Sequence, residues 1–173
     1  MNHFSVDKAL KSLAVIVDTR EQPTERAKRR LETIGLPYER KFLPFGDYSA
    51  YCILPDGGVY SLEDKVSIER KMDLGEISKN YTRGRARFIA EFKRAEAAGA
   101  KIYLLIENAD WEKAYSGTYR SRLHPNALTA NLLAWLARYN CQIIMCKVET
   151  SGKLIHDILH REMKEHLEGL PDE

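Results

Sequence analysis

Glu69 and Lys71 stand two residues apart at the end of an apolar run, in V-S-I-E-R-K-M-D over 66–73. In an extended strand, positions two apart project to one side. A carboxylate and an ammonium would then share a face with Ser67, while Val66, Ile68 and Arg70 take the other. Hydrolysis of a phosphodiester needs a hard cation to polarise the phosphate and activate water, and fixed positive charge for the transition state. Such a cation also needs a second carboxylate, and Asp47 is the candidate, because it opens the strand leading into the meander that ends at Glu69. The triplet E-R-K recurs at 39–41, but there it follows a helical segment and lies between Pro37 and Pro44. That copy reads as a solvated charged face on an exposed edge.

The elements that must position these residues follow from periodicity. Leu13 to Val17 is a continuous apolar run opening onto D-T-R-E, as expected of a strand buried on both faces with function at its end. A helix is predicted from about Pro23 to Ile34, with Ala27, Leu31 and Ile34 on one face and Gly35 as its cap. Tyr38–Phe45, Asp47–Leu54, Val59–Leu62 and Val66–Lys71 read as a β-meander, with P-D-G-G at 55–58 as a turn. Phe88, Phe92 and Ala95 mark the buried stripe of a helix that ends near Gly99. Lys101–Glu107 and Cys141–Lys147 are further buried strands, and helices are predicted over Pro125–Tyr139 and Lys153–Leu167. Helices alternating with apolar strands around an early meander give an α/β sandwich with a mixed sheet.

At 173 residues the chain has the size of one domain, taken as 1–173 with a core over about 13–168. Its 27 basic and 25 acidic residues nearly cancel, so net charge does not itself argue for a polyanionic partner. Their distribution does. Between Lys79 and Arg94 there are six basic residues and one acid, Glu91, whereas the tail from Arg161 carries two basic and five acidic residues. Arg83, Arg85 and Arg87 flank a predicted helix start, where backbone N–H groups also favour anions. Cys52, Cys141 and Cys146 lack metal-site spacing and read as free thiols of a reducing compartment. No apolar run is long enough to span a membrane and no signal-peptide core is apparent, so a cytoplasmic location is expected, nucleoid-associated in a bacterium or in the host cytoplasm for a phage protein. His156 and His160, four apart, read as incidental residues of a helix face.

Four motifs in order, V-D-T-R-E at 17–21, G-D-Y at 46–48, I-E-R-K at 68–71 and Y-L-L-I-E at 103–107, resemble the nuclease domain of the XPF family of structure-specific endonucleases. That family carries G-D-x(n)-E-R-K-x(3)-D within the wider PD-(D/E)XK superfamily. The resemblance runs from about Leu13 to Leu159. It implies a restriction-endonuclease-like fold and Mg²⁺- or Mn²⁺-dependent cleavage of DNA at flaps, forks or junctions, in repair or recombination. By motif, Asp47 and Glu69 would hold the metal, Lys71 would orient the attacking water, and Asp18 and Glu21 would complete the acidic cluster as a second metal site or outer shell. Arg20 and Arg70 would be structural or would contact phosphate, as would Arg83, Arg85 and Arg87, and a homodimer or a separate DNA-binding partner would supply grip.

Three departures accompany the resemblance. The family's last aspartate falls at Gly75, leaving Asp73 or Glu76 as its replacement; an additional hairpin between Asp47 and Glu69 could alter the cleft; and no tandem helix-hairpin-helix module follows. A non-catalytic DNA-binding or scaffold subunit, or a nuclease with another nucleic-acid substrate, is the alternative. The helix at 125–139 carries Leu128, Leu132, Leu133, Trp135 and Leu136, a face that serves either the core or a homodimer surface.

Overall fold

The runs A-V-I-V-D and K-I-Y-L-L-I-E are apolar without alternation, which suits strands covered on both faces. In the computed structural model, which describes residues 3–171, both lie inside one mixed sheet. The strands are β1 (Ala14–Asp18), β2 (Tyr38–Lys41), β3 (Tyr48–Ile53), β4 (Val59–Ser61), β5 (Val66–Lys71), β6 (Lys101–Glu107) and β7 (Cys141–Cys146). Their spatial order is β2-β1-β3-β5-β6-β7, with β4 pairing the outer half of β3. β1 runs parallel to β2 and antiparallel to β3, β3 is antiparallel to β5, and β5, β6 and β7 are mutually parallel. This is the mixed-sheet α/β sandwich expected from the alternation of elements.

Helices α1 (His3–Leu10), α2 (Glu25–Ile34) and α7 (Val148–Glu168) cover one face. They enclose a core built from Val15, Val17, Tyr48, Ile68, Ile155, Leu159 and Met163. Helices α3 (Leu74–Tyr81), α4 (Arg85–Ala97), α5 (Trp111–Ser116) and α6 (Pro125–Arg138) cover the other. There the core is aromatic, with Phe88 stacked on Trp135 at 5.5 Å between ring centroids and Phe92 edge-on to it at 5.8 Å.

Several boundaries move from those read in sequence. Helix α2 starts at Glu25 because the Thr24 side chain caps it, accepting from the Ala27 N–H, and α7 starts five residues earlier than the apolar stripe indicates. Helices α1, α3 and α5 are additional to the elements read from sequence. β2 is short and exposed along its whole length at the sheet edge, so Glu39 and Lys41 are surface residues, with Lys41 paired to Glu63. The β3–β4 hairpin projects from the end of the sheet opposite Asp47, because Tyr48 pairs with Val17 while Ile53 extends past Ala14. The expectation that this hairpin could reshape a cleft at Glu69 is therefore corrected.

On α6, Leu128, Leu132 and Trp135 enter the core, while Leu133 and Leu136 are 47% and 36% exposed. Cys52 and Cys141 are buried thiols, and Cys146 is half-buried. His156 is used structurally, its Nδ1 lying 2.8 Å from the Ile34 carbonyl oxygen. Among the described residues no helix is long and apolar enough to cross a membrane.

Candidate active site

Pairing of β1, β3 and β5 brings three motifs to one end of the sheet. The Asp18 N–H donates to the Asp47 carbonyl and the Asp47 N–H to the Ile68 carbonyl, both at 2.8 Å. Asp47 thus sits between the end of β1 and the end of β5. The turn before it requires glycine twice over. Gly46 has φ +74°, and a Cβ there would lie 2.4 Å from Ser67 Oγ. Gly46→Ala is expected to cost about 2 kcal/mol through backbone strain and overpacking, measured as a lower urea midpoint with unchanged m-value.

Glu69 and Lys71 project from β5 toward α3 and α4, as the two-residue period requires. Lys71 Nζ is 2.5 Å from Glu69 Oε1, and lies 5.4 Å from the Phe88 ring centroid. With Asp47 they line a cleft of about 320 Å³ that also takes in Arg20, Arg87, Glu76 and Glu91. Asp47 is held from below by the Arg70 N–H, which donates to Oδ2 at 2.8 Å.

Burial pushes the Asp47 carboxyl up to about 6, with the Lys71 ammonium opposing and the Glu21 charge adding to the rise. Glu69 is also raised, by burial first and then by the charges of Asp47 and Glu91, against the pull of Lys71. Burial lowers Lys71, but the Glu69 and Asp47 carboxylates outweigh it and hold the ammonium protonated. Two carboxylates therefore share one ammonium, and burial raises the proton affinity of both.

Asp18 and Glu21 take different places. Asp18 is 1% exposed and both its oxygens are occupied. Oδ1 accepts from the Arg20 N–H and Nε, and Oδ2 from the Leu43 N–H and Arg20 Nη2. Burial would raise this carboxyl, but those donors reverse the effect and hold it below the usual range. Glu21 lies on the far side of β5, where Arg30 and Arg70 each approach its Oε1 at 3.4 Å and the Tyr48 hydroxyl at 3.3 Å. Neither acid lines the cleft.

The arginines divide similarly. Arg20 lines the cleft while clamped to Asp18, and Arg87 lines it from the first turn of α4. The Arg70 side chain faces away, pairing with Glu21 and Glu107. Arg85 donates to Asn131 Oδ1 at 2.9 Å and sits over the Trp135 ring, which occupies it within the fold. Arg83 lies outside the cleft, on the neighbouring surface between α3 and α4.

Of the two other acids lining the cleft, Glu76 stood beside Asp73 in the sequence as a replacement for the family's last aspartate, and Glu91 had no site role there. Glu91 accepts from the Gly46 N–H at 2.8 Å, so α4 steadies the turn that carries Asp47. Asp73 caps α3, accepting from the Glu76 N–H, and Glu76 in turn accepts from the Met72 N–H just before the cap. Glu76 reaches the cleft while Asp73 is spent on the cap. The signal for Glu91 lay in its spacing, three residues after Phe88 and beside the buried stripe of the same helix.

No group of three His, Cys, Asp or Glu side chains among the described residues is arranged to hold a metal ion. The donor set is two carboxylates, Asp47 and Glu69, beside the Lys71 ammonium. That fits a hard divalent cation that completes its shell with water and substrate phosphate, the usual habit of Mg²⁺.

Residues 17–158 match the model of the ERCC4 domain. The fold is similar to XPF from Aeropyrum pernix, at 20% sequence identity and a TM-score of 0.65, covering 92% of this chain and 66% of that one. It is also similar to a structure described as XPF from Aeropyrum pernix in complex with DNA, at 22% identity and a TM-score of 0.61, covering 92% and 68% respectively. The chain thus spans just under two thirds of the first of these structures. No curated protein matches the sequence.

Proposed function

The chain belongs to the ERCC4 domain family, and from that premise we propose that it is a metal-dependent DNA endonuclease acting on branched DNA. The observation that carries this reading is the meeting of Asp47, Glu69 and Lys71 in one cleft at the end of the sheet. Asp47 and Glu69 would hold Mg²⁺ or Mn²⁺. When bound, such a cation supplies Lewis-acid polarisation of the phosphodiester and a more acidic water. The Lys71 ammonium, kept charged by its two carboxylates, donates to the attacking water and offsets charge on the phosphate as it develops.

Arg87 and Arg20 face the same cavity and supply cations to phosphate oxygens flanking the reacting one. Asp18 and Glu21 act one layer out in this reading. Asp18 fixes the Arg20 guanidinium at the cleft wall, and Glu21 anchors Arg70, whose N–H orients Asp47. Leu133 and Leu136, exposed on α6, support a homodimer contact.

A panel of labelled flap, fork, four-way junction, plain duplex and single-stranded DNA, with an RNA duplex alongside, tests the reading. Cutting of branched DNA with Mg²⁺ or Mn²⁺, lost in EDTA and in Glu69→Gln, is the expected result. No cleavage of any substrate with either metal would sink it, and preferential RNA cleavage would replace its substrate.

A further inference from the structure

Beside the cleft lies a second cavity, of about 590 Å³, whose charge is of one sign. Lys79 and Arg83 enter it from the α3–α4 corner, and Arg120 and Arg122 from the loop between α5 and α6. All four are exposed, and no carboxylate lines the cavity. Among the described residues none of the four forms an ion pair. Several exposed cations elsewhere do: Lys28 with Glu25, Lys65 with Asp64, Lys153 with Asp157 and Arg161 with Glu165. Four uncompensated like charges around one concavity repel each other and raise the local potential, which favours a polyanionic occupant.

The cavity walls are fixed by the fold. Position 75, at the start of α3, admits only glycine, because a Cβ there would lie 2.8 Å from the Arg120 carbonyl oxygen. The loop backbone thereby packs directly on α3. Within the loop, Tyr119 Oη donates to the Leu123 carbonyl at 2.8 Å, and the Leu123 N–H donates to Ser121 Oγ at 3.1 Å. At the opposite wall, the Gly84 N–H donates to the Lys79 carbonyl at 3.0 Å. Asn80 and Gly84 line this cavity and the cleft alike, so the two are contiguous. The Asn80 side-chain oxygen at this junction is buried without a hydrogen-bond partner.

The geometry points to a second phosphate-binding site, in which Lys79, Arg83, Arg120 and Arg122 grip the sugar–phosphate backbone of DNA after it leaves the cleft. This rests on the reading of the cleft as a DNA nuclease site. The cleft holds the scissile phosphate, and the basic cavity neutralises phosphates away from it, which fixes how far along the strand the cut falls. Contacts of this kind read no bases, so the grip is independent of sequence and sensitive to salt.

The test measures binding separately from cutting. Affinity for a fluorescent flap duplex is measured in EDTA over a series of KCl concentrations, for wild type, Arg120→Gln/Arg122→Gln and the conservative Arg120→Lys/Arg122→Lys. A charge-matched control, Lys153→Gln/Arg161→Gln, removes two exposed cations that carry acidic partners. The Gln pair is expected to lose roughly tenfold to a hundredfold in affinity near 0.1 M salt, and the slope of log affinity against log salt to fall by about 2. The Lys pair should retain the slope, the control should bind like wild type, and all should unfold at the wild-type temperature.

Wild-type affinity and slope in the Gln pair would overturn the proposal, as would an equal loss in the control or tighter binding of an RNA duplex than of DNA. Failure of the nuclease reading looks different: DNA would bind through Arg120 and Arg122 and never be cut. Cutting at full rate with binding indifferent to both arginines would retain the nuclease and remove the second site.

Discussion

Asp47→Asn is expected to reduce DNA cleavage at saturating substrate by about a thousandfold, because it removes one of two carboxylates that would hold the cation, a loss of several kcal/mol of transition-state stabilisation. The same substitution should leave the metal-free protein more stable than wild type at neutral pH. Burial, with the charge of Glu21, lifts the folded-state carboxyl of Asp47 to about 6 from an ordinary value of 3.8. A raised carboxyl binds its proton more tightly when folded than when unfolded. The favourable contribution is therefore present in full below about pH 4 and is lost as pH rises through 6, and the cost above that is about 3 kcal/mol.

Wild type without metal should lose melting temperature across that window, and Asp47→Asn should not. Since a carboxylate must be deprotonated to hold a cation, the gain in melting temperature from Mg²⁺ should grow over the same interval in wild type and be much smaller in the variant. Thermal unfolding at pH 4, 5, 6 and 7, with and without Mg²⁺, checks all of this independently of any nuclease assay. A pH profile for the variant parallel to that of wild type would show that Asp47 is not the titrating group.

The second large effect lies on the reverse side of β5. Arg30 is 5% exposed and Glu107 is 1% exposed. Arg30 Nε is 3.1 Å from Glu107 Oε1, and its Nη1 approaches Tyr48 Oη at 3.1 Å and Glu21 Oε1 at 3.4 Å. Arg70 completes the set, bridging Glu21 and Glu107. Two guanidinium groups thus balance two carboxylates inside the protein. Arg30→Ala would leave two buried acids facing one arginine, which typically costs 3–5 kcal/mol, or a fall in melting temperature of about 10 °C for a chain of this size.

Arg30→Met combined with Glu107→Gln should recover a large part of that loss, since the uncompensated charge is then gone. Chemical denaturation of the single and double variants measures the coupling. Additive losses would mean that the network contributes as separate contacts and not as a balanced set. Because the Arg70 N–H holds Asp47, Arg30→Ala should also weaken metal-dependent stabilisation, although Arg30 lies on the other side of the sheet.

Much of this organisation was legible in the sequence, and the reasons differ by residue. Glu69 and Lys71 follow from the period of a strand, and Asp47 from chain order, because antiparallel pairing returns the chain to the same edge. The pairing of Val17, Tyr48 and Ile68 does this. Asp18 and Glu21 were readable as acids near that edge, but not the direction each takes. Arg20 turns back onto Asp18 over two residues, whereas Glu21 is drawn to Arg30 on α2, a contact that composition cannot reveal.

Helix α3 was hidden because it is short and contains Gly75, although its N-cap, Asp73, was written in the sequence. Glu91 was hidden by its neighbours, since one acid among six basic residues reads as surface charge until the Gly46 N–H is known to sit opposite it. The resemblance left Arg70 as structural or phosphate-contacting, and the structure pairs it with Glu107; Arg85, read as a phosphate contact at a helix start, donates to Asn131 within the fold.

The β3–β4 hairpin leaves the sheet at the end remote from Asp47, and its turn over Pro55–Gly58 is exposed throughout. Strand register is set upstream by β1 against β3 and downstream by β5 against β6, so lengthening this turn shifts neither Asp47 nor Glu69. The protein therefore carries a natural insertion point. A fluorophore, an affinity peptide or an entire second domain placed between Asp56 and Gly58 would ride on the far side of the molecule and leave the cleft free.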